Sequence, residues 1–322
     1  ISNGDPVSLN SDGTVTTTSG FAGAVATFLS ATTASEINVV YDSNANKSLI
    51  IFRRSDTNHL KAVVATVSGT SLSFGSEATI TTNTTTNVKA AFDSNANKVV
   101  IVWRDNTEAN TPVRAVVGTI SGTSVSFGTI ANVTDNSAML PIIAFDSNSN
   151  KVVVGYRHVY DGSTGKAKVG TISGTSISFG TEAVFQNSNT DPMDMTFDSN
   201  SNKIVIIYKH NADSDDGKAI VGTVSGTSIS FGTAVTWSTG NGDKSRCTFD
   251  SNSNKVVIVF KDTNNSSHVS SVVGTVSGTS ISFGSTAVVK TTGCGELDVT
   301  FDTNLNKAIV VFNDQNDNKK GL

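Results

Sequence analysis

A seven-residue block reading Phe-Asp-Ser-Asn-Ser-Asn-Lys, with small variations, recurs six times along the chain. Its aspartates are Asp42, Asp93, Asp146, Asp198, Asp250 and Asp302, spaced 51, 53, 52, 52 and 52 residues apart. A second block, Ser-Gly-Thr-Ser-(Leu/Val/Ile)-Ser-Phe-Gly, recurs five times at the same period, with its first glycine at Gly69, Gly122, Gly174, Gly226 and Gly278. A period of this length marks one supersecondary unit stacked or arrayed about an axis. It also lets the chain be compared with itself: positions alike in every copy serve the repeat, and positions that differ are candidates for function.

The copy around Asp146 shows what the unit is. Residues 140–145 are mostly apolar and run into Asp-Ser-Asn-Ser-Asn-Lys, a turn signal rich in side chains that bond their own backbone. Residues 151–156 (Lys-Val-Val-Val-Gly-Tyr) form a near-continuous apolar run, which suits a strand covered on both faces. After a polar loop, residues 167–172 read as a third strand, Ser173-Gly174 as a tight turn, and residues 176–185 as a fourth. These strands are named A to D. Four antiparallel strands in about 52 residues make one propeller blade, although the Trp-Asp and double-glycine signatures of two propeller families with similar periods are absent. A β-solenoid needs a shorter coil, and a sandwich does not repeat so evenly.

The ends of the chain point to ring closure. The last copy has strands A (297–301) and B (307–312) and stops at Gly321-Leu322, where strand C is due. Residues 6–16 resemble the C–turn–D segment of a full copy, so residues 1–20 are expected to complete the blade begun at 295–322. This two-plus-two closure leaves no open sheet edge. The expectation is an all-β, six-bladed propeller spanning residues 1–322 as one domain, with seven blades the alternative if residues are missing at either end. The first residue is Ile1, which points to a processed product, a trimmed chain or a fragment.

Composition narrows the function. Only 16% of residues are charged and the net charge is −4, against the basic surface a nucleic-acid binder needs. No run of 18 apolar residues occurs, so no transmembrane helix or membrane insertion is expected. Cys247 and Cys294 are too few for a disulfide framework; buried free thiols are expected, with a bridge between them as the alternative.

The copies Phe-Asp-Ser-Asn-Ser-Asn-Lys-Val-Val-Ile and Val-Gly-Thr-Val-Ser-Gly-Thr-Ser-Ile-Ser-Phe-Gly, together with residues 4–15, resemble repeats in virion structural and tail-fibre-like proteins of marine bacteriophages. The resemblance covers nearly the whole chain but is one of repeats and composition. It implies an exposed particle component, virion-borne or extracellular, that contacts other virion proteins and possesses no catalytic motif to carry over.

Variation among the copies is one-sided. The A–B and C–D turns are nearly identical in every full copy, whereas the B–C loops (53–61, 104–114, 157–166, 209–218, 261–270, 313–321) and the D–A loops differ. In a four-stranded blade these two loop sets lie on the same face. Recognition sits on loops displayed by a rigid scaffold; unconstrained drift is the competing account, yet drift would also have altered the other turns. Two rings on this face are candidate ligand-binding positions. Four residues before each aspartate, on the side of strand A expected to face the channel, stand Asn38, Lys89, Ile142, Asp194, Arg246 and Asp298. Their alternative role is mutual pairing, Asp194–Arg246–Asp298, which neutralises buried charge. At the end of strand B an aromatic is followed by Arg53, Arg104, Arg157, Lys209 and Lys261, with Asn313 in the sixth copy. Such cations suit the carboxylate or phosphate of a glycan. Since five copies agree, a structural role, pairing with Asp105, Asp262 or Asp314 or stacking on the preceding blade, is the stronger reading for this ring.

Other chemistry is weak. The Asp-x-Asn-x-Asn turn has half the pattern of a calcium loop, but Lys replaces the required glycine and the closing Glu is missing; an Asx-stabilised hairpin accounts for it better. His59, His158, His210 and His268 all fall in B–C loops; His158 and His210 share an offset and join the loop-face candidates, while no metal or other cofactor is expected. Asp194 and Asp298 could mimic a glycosidase dyad, but the sialidase-type Asp-box is absent. The sequence therefore points to a non-enzymatic module that binds a host surface component, a glycan or a protein. A virion spacer, a secreted bacterial lectin and, least supported, a glycoside hydrolase are the alternatives.

Overall fold

The computed structural model describes residues 7–9, 15–17, 26–29, 32–240 and 242–315. Its regular structure is entirely β, arranged as a β-propeller. In the third blade the strands are Ala138–Asp146, Lys151–His158, Thr164–Ser173 and Ser176–Phe179, paired antiparallel in that order from the axis outward. The expected fourth strand, 176–185, is in fact two pieces. Ser176–Phe179 and Ala183–Gln186 both pair with strand C, and Gly180 to Glu182 break the run between them. In the first four blades the break lies against the neighbouring blade. A Cβ on Gly128 would lie 1.8 Å from the Thr175 carbonyl oxygen, and Gly75, Gly180 and Gly232 stand in the same relation to Thr123, Thr227 and Thr279. The outer strands of the first four blades thus close on the C–D turn of the next, at a distance only glycine permits.

The repeated aspartate block is a hairpin. Asp146 Oδ1 accepts the backbone N–H of Asn148 at 2.9 Å and of Ser149 at 3.0 Å, and the other five aspartates make the same pair of bonds. The turn ends on an asparagine in the left-handed region, Asn150 at φ 53°, with Asn46, Asn97, Asn202, Asn254 and Asn306 alike. Asparagine tolerates that conformation better than other residues with a Cβ.

The hydrophobic core lies between blades rather than within them. Val99, Ile101 and Trp103 of the second blade's strand B pack on Leu49 and Ile51 of the first, while Val100 and Val102, on the opposite face of the same strand, pack on Val152 and Val154 of the third. This explains the apolar runs: a strand buried on both faces has no polar alternation to show. Phe185 of the third blade's outermost piece stacks on Tyr208 and Phe231 of the fourth, at centroid distances of 5.5 and 5.9 Å.

Five blades are complete among the described residues. The sixth copy contributes one inner hairpin: the second part of Ala287–Asp302 pairs with Lys307–Asp314, while the first part of that strand still pairs with the fifth blade. Six four-stranded blades were expected; the described residues form five, with one further hairpin. Val7–Leu9 and Val15–Thr17 pair with each other antiparallel. The remainder of residues 1–20, and residues 316–322, on which the expected closure depends, lie outside the described residues.

Candidate functional site

Strand A runs from the variable face to the face of the invariant turns, and it enters through a bulge. In the third blade the register shifts between Met139 and Ile142 around Leu140, whose φ is 53°. Glu36 and Asn87 hold the same place in the first two blades, with φ 52° and 56°. Residues just before the bulge, Ser35, Met139 and Asp191, meet the cation ring at the end of strand B.

Below the bulge, the ring four residues before each aspartate converges only in part. Asp194 feels the charges of Lys89, Arg246 and Asp298, from three other blades, so these four share the channel. None of them pairs with another within salt-bridge distance among the described residues. Burial drives the Asp194 carboxyl above its ordinary range; Lys89 and Arg246 pull the other way without cancelling it. Both Asp194 oxygens accept backbone donors, Oδ1 from Met195 N at 3.0 Å and Oδ2 from Cys247 N at 3.1 Å, so the side chain ties the fourth blade to the fifth. Arg246 donates to the Ser245 carbonyl at 2.9 Å, and Asn38 Oδ1 is buried without a partner. Ile142 does not line the channel with them. It is buried against Met195 and Ile206 of the fourth blade, because this side of strand A is divided between the axis and the next blade.

The cation ring is less uniform than its sequence. Arg53 donates to Ser35 Oγ and to the Thr85 carbonyl of the second blade, both at 3.1 Å. Arg157 pairs with Asp191 of the fourth blade, and Lys209 lies 3.8 Å from both Asp191 and Asp215. Lys261 makes no side-chain hydrogen bond or ion pair among the described residues. Arg104 makes one hydrogen bond, to Thr111 Oγ1 at 3.2 Å. Asp105, a suggested partner for it, is instead buried and occupied by Asn83 Nδ2 at 2.7 Å and Thr107 N at 3.0 Å.

The two aligned histidines each face a carboxylate of their own loop, and His210 Nε2 also meets Gln186 at 2.7 Å and Ser188 at 2.6 Å at the end of the third blade. His158 Nδ1 lies 3.0 Å from Asp161, and His210 Nδ1 lies 3.6 Å from Asp213. Burial would raise the Asp161 carboxyl, but bonds with Lys166, Thr164 and His158 hold it well below the usual carboxylate range. Lys166 also bonds Glu182 at 2.7 Å, and Tyr156 donates to Glu182 at 2.5 Å, linking the loop to the outer-strand break. No cluster of three or more His, Cys, Asp or Glu with metal-binding geometry exists among the described residues. Cys247 and Cys294 are buried free thiols.

One feature escaped the sequence comparison. A cavity of about 440 Å³ occupies the half of the channel nearer the invariant turns, lined among others by Thr196, Thr248, Thr300, Phe197, Phe249 and Phe301. The threonines sit two residues before their aspartates and share the parity of the charged ring. That parity was the available signal.

No protein-family model matches the chain, and no curated protein matches its sequence. Solved structures do match in shape. The BP39L lectin of Burkholderia pseudomallei superposes with a TM-score of 0.65 at 9% identity, covering 87% of this chain and 78% of the lectin. A Lactobacillus plantarum protein gives 0.61 at 10% identity over 98% of this chain and 89% of its own. The intramolecular trans-sialidase of Ruminococcus gnavus, in complex with oseltamivir carboxylate, gives 0.57 at 7% identity over 90% and 92%. At these identities the likeness establishes the propeller fold and nothing finer.

Proposed function

We propose that this chain is a non-enzymatic carbohydrate-binding propeller, carried on a phage particle or secreted, that engages a host-surface glycan through its variable face. The observation that carries the reading is the channel ring. Lys89, Asp194, Arg246 and Asp298 come from four blades to one space, yet leave their charges unpaired. Self-neutralisation is the natural end for charges that serve only the fold. Asp194 gives its oxygens to the backbone, but Lys89, Arg246 and Asp298, held near one another and apart, leave donors and an acceptor for a hydroxyl-rich ligand. The lectin among the structural neighbours supports the same reading. The repeat resemblance to virion proteins supports the location.

A hydrolase reading draws on the sialidase-like neighbours and on the raised Asp194 carboxyl. It is the weaker one, because both Asp194 oxygens are occupied by backbone donors. A glycan array with the whole chain, paired with the Lys89→Met and Arg246→Met variants, tests the proposal. Binding of defined glycans, lost in the variants, supports it. An empty array and no retention on host cells would sink it and leave the spacer role, while glycan cleavage abolished by Asp298→Asn would establish the hydrolase.

We also infer a closed six-bladed ring, with residues 1–20 completing the sixth blade. Phe28 packs on Phe52 and Phe74 at 5.1 and 5.9 Å, as Phe185 packs on Tyr208 and Phe231, so the chain enters the first blade from the place of a preceding blade's outer strand. The facing surfaces are apolar. Val39 is 58% exposed where its counterpart Met195 is 5% exposed, and Val311 of the sixth hairpin is 51% exposed where Val102 is fully buried.

A further inference from the structure

At the junction of the second and third blades, the variable face holds two arginines with too few acceptors. Arg104 carries five N–H donors. One bonds Thr111 Oγ1 at 3.2 Å; Nε is buried without a partner, and no carboxylate lies within 4 Å among the described residues. Arg157, one blade further on, directs Nη1 at Asp191 and places Nη2 2.6 Å from Met139 Sδ, a weak acceptor; its Nε is likewise buried and unpartnered. The start of strand A in the third blade links the two. Thr111 Oγ1, which receives the Arg104 bond, lies 2.8 Å from Ser137 Oγ, and Met139 follows two residues later beside Arg157.

Comparison between blades shows what is missing. Arg157 reaches forward to Asp191, seven residues before the aspartate of the next blade. The matching residue ahead of Arg104 is Met139. By position, a thioether thus stands ahead of Arg104 where a carboxylate stands ahead of Arg157. Asp191 cannot serve both sides, since Arg157 and Lys209 already share it. Burial and the nearby Arg157 charge both act to destabilise the Arg104 cation. Donors left without acceptors in a partly buried site are costly, and a guanidinium fork matches the two oxygens of a carboxylate or sulfate.

We propose that Arg104 and Arg157, with the Thr111 and Ser137 hydroxyls, form a subsite for an oxyanion, a carboxylate or sulfate ester borne on the glycan. The subsite rests on the reading of the variable face as glycan-binding, but it can be tested without any glycan. The probes are sodium sulfate and sodium glucuronate, with glucose as the neutral control, titrated calorimetrically into the whole chain at low ionic strength, where screening is weak. Arg104→Met removes the charge and keeps the bulk of the side chain. Met139→Asp supplies the absent carboxylate from within. Arg54→Met, at an arginine already paired with Asp56 and Glu77, is the control.

The expected result is binding of at least one anion, weakened about tenfold or more by Arg104→Met and by Met139→Asp, and unchanged by Arg54→Met. Met139→Asp is also expected to raise the melting temperature, which shows that the variant folds and that the vacancy is filled. Sulfate binding alone identifies a sulfated ligand, and glucuronate binding alone a uronic or similar acid. No binding of either anion, or equal binding by both variants and wild type, overturns the subsite. Anion binding with an empty glycan array keeps the subsite and rejects the glycan reading. Binding of neutral glycans unaffected by Arg104→Met, with no anion bound, does the reverse.

Discussion

Asp146 and Asn150 show how single residues build the repeat. The carboxylate collects two backbone donors, and the asparagine takes the left-handed φ that closes the turn. Asp146→Ala strands those donors and is expected to cost about 1–3 kcal/mol in urea denaturation. Asn150→Gly keeps the turn and removes the strain of a Cβ at positive φ, so its stability should equal or exceed wild type. Loss of stability in both would mean that the asparagine side chain has another task. The sequence already showed this turn, because Asx chemistry is local. It could not distinguish Met139 from Asp191 as anything but two variable loop-end residues, since only the adjoining blade gives position 139 an arginine to leave unpaired.

Between elements, Asp194 is the clasp joining strand A of the fourth blade to strand A of the fifth. Its carboxyl is raised by burial, so the folded state favours the proton more strongly than the unfolded chain does. The associated stability is therefore fully present below the unfolded pKa, about 3.9 for aspartate, and is lost as pH rises through the raised folded value. Melting curves followed upward from about pH 4 should show wild type losing more stability than Asp194→Asn, which cannot titrate. Parallel curves for the two proteins would contradict the assignment. Strands A and B were legible in the sequence as apolar runs abutting an invariant turn. The broken outer strand was not: Ser-Phe-Gly continues into apolar residues, and the contact at the break, the Thr227 carbonyl against Gly180, belongs to the next blade.

For the whole molecule, the proposed ring closure can be tested at one glycine. Gly75, Gly128, Gly180 and Gly232 each meet the next blade's turn, whereas around Gly284 the nearest atom to a Cβ is Val273 O at 3.9 Å among the described residues. If residues 1–20 complete a sixth blade, their Asp12-Gly13-Thr14 turn meets Gly284 as Thr175 meets Gly128. Gly284→Ala should then destabilise the chain as much as Gly128→Ala, each by about 1–3 kcal/mol, since the backbone must shift to admit a methyl group. A neutral Gly284→Ala beside a damaging Gly128→Ala would mean that the fifth blade's outer edge stays open.

The amino-acid sequence by itself determined the period, the antiparallel hairpins and the face on which the copies differ, because turns, strand propensity and alternation are set by residues close together in the chain. Tertiary structure decided which charges meet. The approach of Lys89 to Asp194 across the channel, the missing carboxylate ahead of Arg104 and the threonine-lined cavity all depend on the angle between blades. That angle follows from side chains packed between units about 52 residues apart, and no local pattern encodes it.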